Sequence, residues 1–399
     1  MDMKAKVIDR RAFLVNMAAG FAGVACNRSH PHQTAIPQRR LTRFPEKADL
    51  YLLTDRPPQL ETPLHYFRQD LTPNEAFFVR WHLEGVPTAV SPDTFRLTVD
   101  GHVRTPLSLT LEDLRTKFEA VEIIAVCQCS GNARGLFEPR VPGGQWQQGA
   151  MGNARWMGVR LKDILDRAGV RAGAVDVSFD GLDTPPMPGV SDFVKALGID
   201  HARDGDVLVA YEMNGRELPV LNGFPLRLVV PGWYATYWVK ALSRIVVLPN
   251  QFKGFWMTHS YLLADNPNGS ESPDHLSAAV APISKFSVHS IFVRPEPGEM
   301  ITVGETYRFE GLAMDDGTGI GKVEVSIDGG ARWAMARLDP ELGKYSWRRW
   351  RFDASFSQRG SYKVMVKATN NQGRTQLVSH WNRSGYMRTL IEQVELTVT

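Results

Sequence analysis

The residues with most chemistry to offer lie in one short stretch, Cys129-Ser-Gly-Asn-Ala-Arg134. It follows an apolar run, Val121-Glu-Ile-Ile-Ala-Val-Cys127, whose alternation and β-branched content predict a buried strand. Ser130-Gly131-Asn132 is turn chemistry, because Gly and Asn accept backbone angles that other residues avoid. A thiol therefore stands where a strand breaks into a loop, with a guanidinium five residues on. A thiolate is a soft ligand for a soft metal, and a nearby guanidinium favours its ionised form. The competing reading is an inert cysteine buried at a strand end. Cys127 and Cys129 are read as facing opposite sides of the strand, with the turn selecting Cys129.

These residues need a scaffold, and 399 residues are enough for two domains. With 43% hydrophobic and 22% charged residues, the composition is that of a globular protein. A formal charge of +3, dispersed along the chain, argues against nucleic acid or a membrane surface as partner. Beyond the N-terminus no segment reaches the roughly 18 uninterrupted apolar residues of a transmembrane helix. Three cysteines rule out a disulfide framework. Without a Cys-x-x-Cys-His, the chain is read as lacking an attached c-type haem.

At the N-terminus, Asp9-Arg-Arg-Ala-Phe-Leu14 precedes the apolar, small-residue stretch Val15 to Ala25. This reads as a twin-arginine export signal, with an amphipathic helix as the alternative. Residues 1–40 are then signal and flexible lead-in, and the protein is expected in the periplasm, exported folded with its cofactor in place. Residues 41–265 mix short strands with helical stretches at Thr110 to Phe118 and Arg160 to Ala168, which predicts an α+β domain. Residues 266–274 form a polar Pro/Gly-rich linker. From 275 to 399, period-two segments separated by turn signals predict an immunoglobulin-like β-sandwich, a module whose usual role is packing or dimerisation.

Several further segments join the cysteine motif: Phe77-Phe-Val-Arg-Trp-His82, Gly152-Asn-Ala-Arg-Trp156, Ala210-Tyr-Glu-Met-Asn-Gly215, Asn222-Gly-Phe-Pro-Leu-Arg227, Val230-Pro-Gly232 and Trp238-Val-Lys240. In order and spacing, over residues 45–399, the chain resembles the sulfite oxidase family of molybdenum enzymes. Tyr237-Trp-Val-Lys240 and Trp381-Asn-Arg-Ser-Gly-Tyr-Met-Arg388 look most like the bacterial haem-free sulfite dehydrogenases.

The resemblance implies a molybdenum-pyranopterin cofactor with Cys129 as the protein's one metal ligand. It assigns Arg80 and Arg134 to an anion pocket, Trp146 to its wall and Tyr261 to hydrogen bonding and proton relay. It matches Phe78, Arg80, His82, Asp183, Asn222, Arg227, Trp238 and Lys240 to pterin and phosphate contacts. On the residues alone, His82 reads first as a satisfied core histidine, and the usual fate of either arginine is a surface ion pair. Asn222 stands where vertebrate members carry His, and Trp81 is expected at the pocket mouth. Where those members have a third pocket arginine this chain has Ser384, so Arg383, Arg388 or neither takes that place. The implied reaction is oxidation of sulfite to sulfate, with electrons passed to a separate periplasmic c-type cytochrome. The C-terminal domain implies a homodimer. A sulfane dehydrogenase subunit of a thiosulfate-oxidising system is the alternative.

Overall fold

The computed structural model of the chain describes residues 39–296 and 298–399. The export-signal reading falls on residues outside that range. Strands β1 (Leu41–Arg43), β2 (Asp49–Asp55), β3 (Pro58–Glu61) and β4 (Val79–Arg80) form an antiparallel meander. β5 (Leu97–Gly101) and β6 (Leu107–Leu109) lead into α1 (Leu111–Thr116). Thr110 caps that helix: its hydroxyl accepts from the Asp113 N–H, and the Asp113 carboxylate accepts from the Thr110 N–H. β7 (Ala120–Gln128) and β8 (Met151–Arg160) pair antiparallel over nine residues, and α2 (Leu161–Ala168) follows directly. In α2, Leu161, Ile164, Leu165 and Ala168 fall on one face and are all buried. Next come β9 (Asp176–Asp180), β10 (Lys195–Gly198), α3 (Ile199–Ala202), β11 (Leu208–Met213), β12 (Arg216–Glu217) and β13 (Arg227–Val229). The last elements of this part are β14 (Arg244–Leu248), α4 (Phe255–Thr258) and β15 (Leu262–Ala264).

Two sheets dominate these residues. One is mixed, in the order β10-β9-β14-β5-β6, with β14 and β5 parallel. The other, β12-β11-β8-β7 with β13 beside β11, carries the cysteines at one end of β7. The few short helices and many strands are α+β, as the mixed patterning predicts. β16 (Val280–Pro282) then pairs back onto β15, closing residues 265–279 into a loop.

The C-terminal part is a two-sheet sandwich of immunoglobulin-like form. One sheet contains β17 (His289–Arg294), β19 (Thr306–Met314), β23 (Arg348–Ser355) and β22 (Arg337–Leu338). The other contains β18 (Met300–Ile301), β25 (Glu392–Val398), β24 (Gly360–Asn370), β20 (Ile320–Ser326) and β21 (Ala334–Met335). Alternate residues such as Phe309, Val323, Trp350, Val364 and Val366 meet between the sheets.

The sandwich is tied to the strand that delivers the thiols. The Val126 N–H donates to the Tyr345 carbonyl at 2.9 Å, and Asn153 Nδ2 to Ser346 Oγ at 2.8 Å. A shared apolar cluster containing Phe67, Val126, Tyr261, Ile291, Leu312 and Trp347 spans both parts.

Within the cysteine-bearing sheet, Gly152 lies opposite Cys127 and under the Phe77 ring. A methyl group there would sit 2.5 Å from a ring carbon, and Phe77 is wedged edge-on against Trp156. Gly152→Ala is therefore expected to destabilise the protein by about 1–3 kcal/mol through overpacking. Chemical-denaturation midpoints of the two proteins check it.

Candidate active site

The loop after β7 is built to aim two side chains at one place. Gln128 is the last residue of the strand, and the Cys129 N–H donates to the Ala150 carbonyl at 2.9 Å. The Asn132 N–H returns to the Cys129 carbonyl at 3.0 Å, and Asn132 Oδ1 accepts from Ala150 N–H at 2.8 Å. Ala133 takes a left-handed conformation, φ 64°, to complete the turn. Arg134 then lies in a cradle of glycines. A methyl group at Gly131 or Gly143 would meet its guanidinium at 2.8 Å, and one at Gly385 would meet its Cγ at 2.7 Å. Its Nε donates to the Ser384 carbonyl at 3.1 Å, and its guanidinium lies 4.7 Å from the Tyr386 ring centroid.

Cys129 stands at the junction of two cavities. The inner one, about 410 Å³, is lined by Phe78, His82, Ser130, Asn222, Thr236, Arg227 and Lys240. The outer one, about 880 Å³, is lined by Arg134, Trp146, Ser384 and Tyr386, with Arg383 at its edge. Arg80, Cys129 and Tyr261 border both.

The inner cavity is strongly cationic. Arg227, Lys240 and neighbouring Lys47 are buried, and none has a carboxylate within 4 Å among the described residues. Burial first, then Arg227, pulls the Lys240 ammonium down to about 7; burial likewise pulls Lys47 to about 7. Asp183 offsets some of the Lys240 charge and is itself raised to about 6 by burial. Aromatic faces do much of the rest, with Lys240 Nζ 4.6 Å from the Trp81 ring and Arg227 flanked by Trp156 and Trp238. Among the described residues, four buried polar atoms of residues bordering this cavity have no hydrogen-bond partner: His82 Nδ1, Ser130 Oγ, Arg227 Nε and Thr236 Oγ1. Unpaired donors and uncompensated cations around a cavity fit an anionic ligand rich in acceptors.

At the junction His82 Nε2 and the Tyr261 hydroxyl are hydrogen-bonded. Burial, then Arg80, Lys240 and Lys195, hold His82 well below the usual imidazole range, so the ring is neutral. Burial pushes the Tyr261 phenol well up. Tyr261 has φ 61°, an uncommon angle for a side-chain-bearing residue, and its ring stacks on Tyr386 at 5.2 Å.

The structure gathers Phe78, Arg80, His82, Cys129, Arg134, Trp146, Asn222, Arg227, Lys240 and Tyr261 at these two cavities. The other expected residues are buried behind the cavities, paired off or placed elsewhere. Trp238 does not face the cavity: its indole is fully buried behind Arg227 and donates to the Trp233 carbonyl. Trp81 is not at the mouth but 1% exposed beneath Lys240. Asp183 reaches the site only through Lys240. Neither substitute arginine is an unpaired pocket cation. Arg383 is bound by Glu271, and Arg388 pairs with Glu392 inside the sandwich, away from both cavities.

The two thiols do not face opposite sides. Residues two apart on a strand share a face, and Arg227 Nη2 donates to Cys127 Sγ at 3.1 Å while also bordering the cavity that Cys129 lines. Burial is what separates them: it pushes the enclosed Cys127 thiol up to about 11, whereas Cys129, one residue beyond the strand, is partly exposed. Lys47, Ser130, Thr236 and Tyr386 went unnoticed in the sequence because none lies in a position whose type alone suggests chemistry. The pairing of Tyr386 with the Ser384 stretch was the one available signal.

Residues 82–256 match the oxidoreductase molybdopterin binding domain, and residues 280–399 match the Mo-co oxidoreductase dimerisation domain. Sulfite oxidase of Gallus gallus is 34% identical over 361 residues, covering 86% of this chain and 77% of that protein. The chain belongs to the sulfite oxidase family of molybdenum enzymes. Mitochondrial sulfite oxidase of Homo sapiens is also 34% identical, over 87% of this chain and 65% of its own length. The crystal structure of the sulfane dehydrogenase SoxCD from Paracoccus pantotrophus superposes with a TM-score of 0.74 at 26% identity, covering 94% of this chain and 93% of that one.

The family's molybdopterin cofactor fits the inner cavity. Its phosphate would meet Arg227 and Lys240, its polar ring edges the unpaired atoms, and Cys129 is the thiolate available to the metal. Among the described residues no three His, Cys, Asp or Glu side chains converge, and a cofactor that brings most of its metal's ligands would need only the one thiolate.

Between pH 7 and 9 the unfolded chain keeps its lysines protonated while folded Lys47, Lys195 and Lys240 lose protons near pH 7. The unfolded state then binds more protons, so folding stability rises with pH in this window. Cofactor-free protein is expected to melt at a higher temperature at pH 9 than at pH 7. An anionic ligand that recharges Lys240 should flatten the slope, and calorimetry of the cofactor-free and loaded forms checks both.

Proposed function

We propose that the protein is a periplasmic sulfite dehydrogenase: sulfite and water give sulfate, two protons and two electrons. The observation that carries this reading is the outer cavity, where Arg80, Arg134 and Tyr261 surround the approach to Cys129. Two guanidinium groups suit a small dianion, each able to donate two parallel hydrogen bonds to its oxygens. The glycine cradle and the Tyr386 ring hold Arg134 against sliding out, so its charge is in place before substrate enters. Trp146, 1% exposed, forms part of the pocket wall.

Cys129 serves as thiolate ligand. When bound, the molybdenum cofactor supplies the transferred oxygen atom and takes up the electron pair. His82, being neutral, can hold the Tyr261 hydroxyl in place without competing for the anion. That leaves the phenol free to hydrogen-bond the substrate and to relay a proton at its hydroxyl. The electrons leave singly to an external c-type cytochrome. The C-terminal sandwich, which matches a dimerisation domain, supports a homodimer. The Arg-Arg-Ala-Phe-Leu14 stretch supports twin-arginine export.

The overlay with the sulfane dehydrogenase structure across 94% of the chain supports a second reading, a sulfane dehydrogenase subunit of a thiosulfate-oxidising system. The two readings separate in one assay. Molybdenum-loaded protein given sulfite and either cytochrome c or ferricyanide should turn over; no turnover by loaded protein would remove the sulfite reading. Cys129→Ser should lower kcat at least about a thousandfold while leaving the melting temperature within a few degrees. Arg134→Met should instead raise KM for sulfite about 10- to 100-fold, the loss of a charged hydrogen-bonding partner.

A further inference from the structure

Lys195 opens β10 with its side chain wholly buried, yet no carboxylate lies within 4 Å among the described residues. A buried ammonium without an anionic partner is costly, so its surroundings have to be arranged for it. Its Nζ donates to the Trp256 carbonyl at 2.6 Å and lies 4.6 Å from the Tyr237 ring and 5.2 Å from the Tyr261 ring. The Tyr237 hydroxyl is turned away, donating to the Ile283 carbonyl at 2.6 Å. Two residues earlier, Phe193 stacks on His82 at 3.6 Å with the planes 12° apart. One extended segment thus presses on both members of the His82–Tyr261 pair. β9 sets the apolar Phe179 opposite Lys195, and α4 brings Phe255-Trp-Met-Thr258, which carries no charge. The titratable groups placed against Lys195 are Tyr237 and Tyr261, with His82 beyond Tyr261. The helix α3, which also packs on β10, carries Asp200 and His201, and neither is an ion-pair or hydrogen-bond partner of Lys195.

The outer cavity needs this charge. Of the arginines that line it, Arg383 is neutralised by Glu271, leaving Arg80 and Arg134 to meet a dianion. We propose that Lys195 is the third cation of the site, a positioning residue that acts through Tyr261. Its ammonium lies against the phenol ring, holds the hydroxyl toward His82 and the cavity, and adds positive charge from behind the tyrosine without touching substrate. Its reach is already visible at His82, where it is one of three cations opposing imidazole protonation. Burial pulls Lys195 itself down to about 7, so the charge is best read at pH 6.

This inference rests on the sulfite-site reading, and the test separates the two. Lys195→Met and Lys195→Arg are compared with wild type as molybdenum-loaded protein at pH 6, using sulfate binding by calorimetry and sulfite kinetics. The Met variant should bind sulfate about tenfold more weakly and show a matching rise in KM for sulfite, with kcat changed less. The Arg variant should recover most of that loss. Sulfate affinity within twofold of wild type in the Met variant overturns the proposal. So does an Arg variant no better than Met at equal molybdenum content, since that marks a packing role. Should the Met variant not take up molybdenum, Lys195→Gln carries the same comparison. Sulfate binding needs no turnover, so a wild type unable to oxidise sulfite defeats the function while the binding arm still decides the role of Lys195.

Discussion

Positive charge packed into a low-dielectric interior is the constraint around which this protein is arranged. Lys47, Lys195, Arg227 and Lys240 are all buried, and none has a carboxylate at ion-pair distance among the described residues. Arg227 and Lys240 oppose each other, as do Arg227 and Lys47. Such a set is unfavourable until an anion enters it, and much of the surrounding structure makes it tolerable. Trp81 lies against Lys240, Trp156 and Trp238 flank Arg227, and Tyr237 and Tyr261 face Lys195. Asn222 ties the array together, accepting from Lys47 through its side chain and from Arg227 through its carbonyl. It supplies neutral acceptors where a carboxylate would cancel the charge needed by an anionic cofactor.

The sandwich is part of the same arrangement. Its Tyr345 and Ser346 fasten the end of β7 and the facing strand, and the Met387 N–H donates to the Ser130 carbonyl next to Cys129 at 2.8 Å. Ser384 and Tyr386 then hold Arg134 from the far side. The outer cavity therefore forms where the two parts of the chain meet. A module that sequence patterning assigns to packing or dimerisation thus provides one wall of the site.

Much of this was legible before any coordinates. The alternation of Val121–Cys127, the Thr110 cap and the period-two run of the C-terminal segments each appear as the expected strand or helix, because local propensity and burial agree there. The cysteine motif and Arg80, Arg134 and Tyr261 were marked by resemblance, and the structure brings all four to one junction. The misreadings share a cause. Trp238 and Arg388 sit in the right segments, and Arg383 reaches the outer cavity already paired with Glu271, because side-chain direction and ion pairing are set by packing that no linear motif records.

By itself, the sequence determined the elements and the order of the chemistry-bearing segments, because both depend on residue type and short-range spacing. Only the tertiary structure decided which charges lack partners and which thiol is exposed. It also decided how Lys195, Tyr261 and Tyr386, far apart along the chain, converge. Those properties depend on burial and on distances across the fold, and neither is written in the neighbourhood of any one residue.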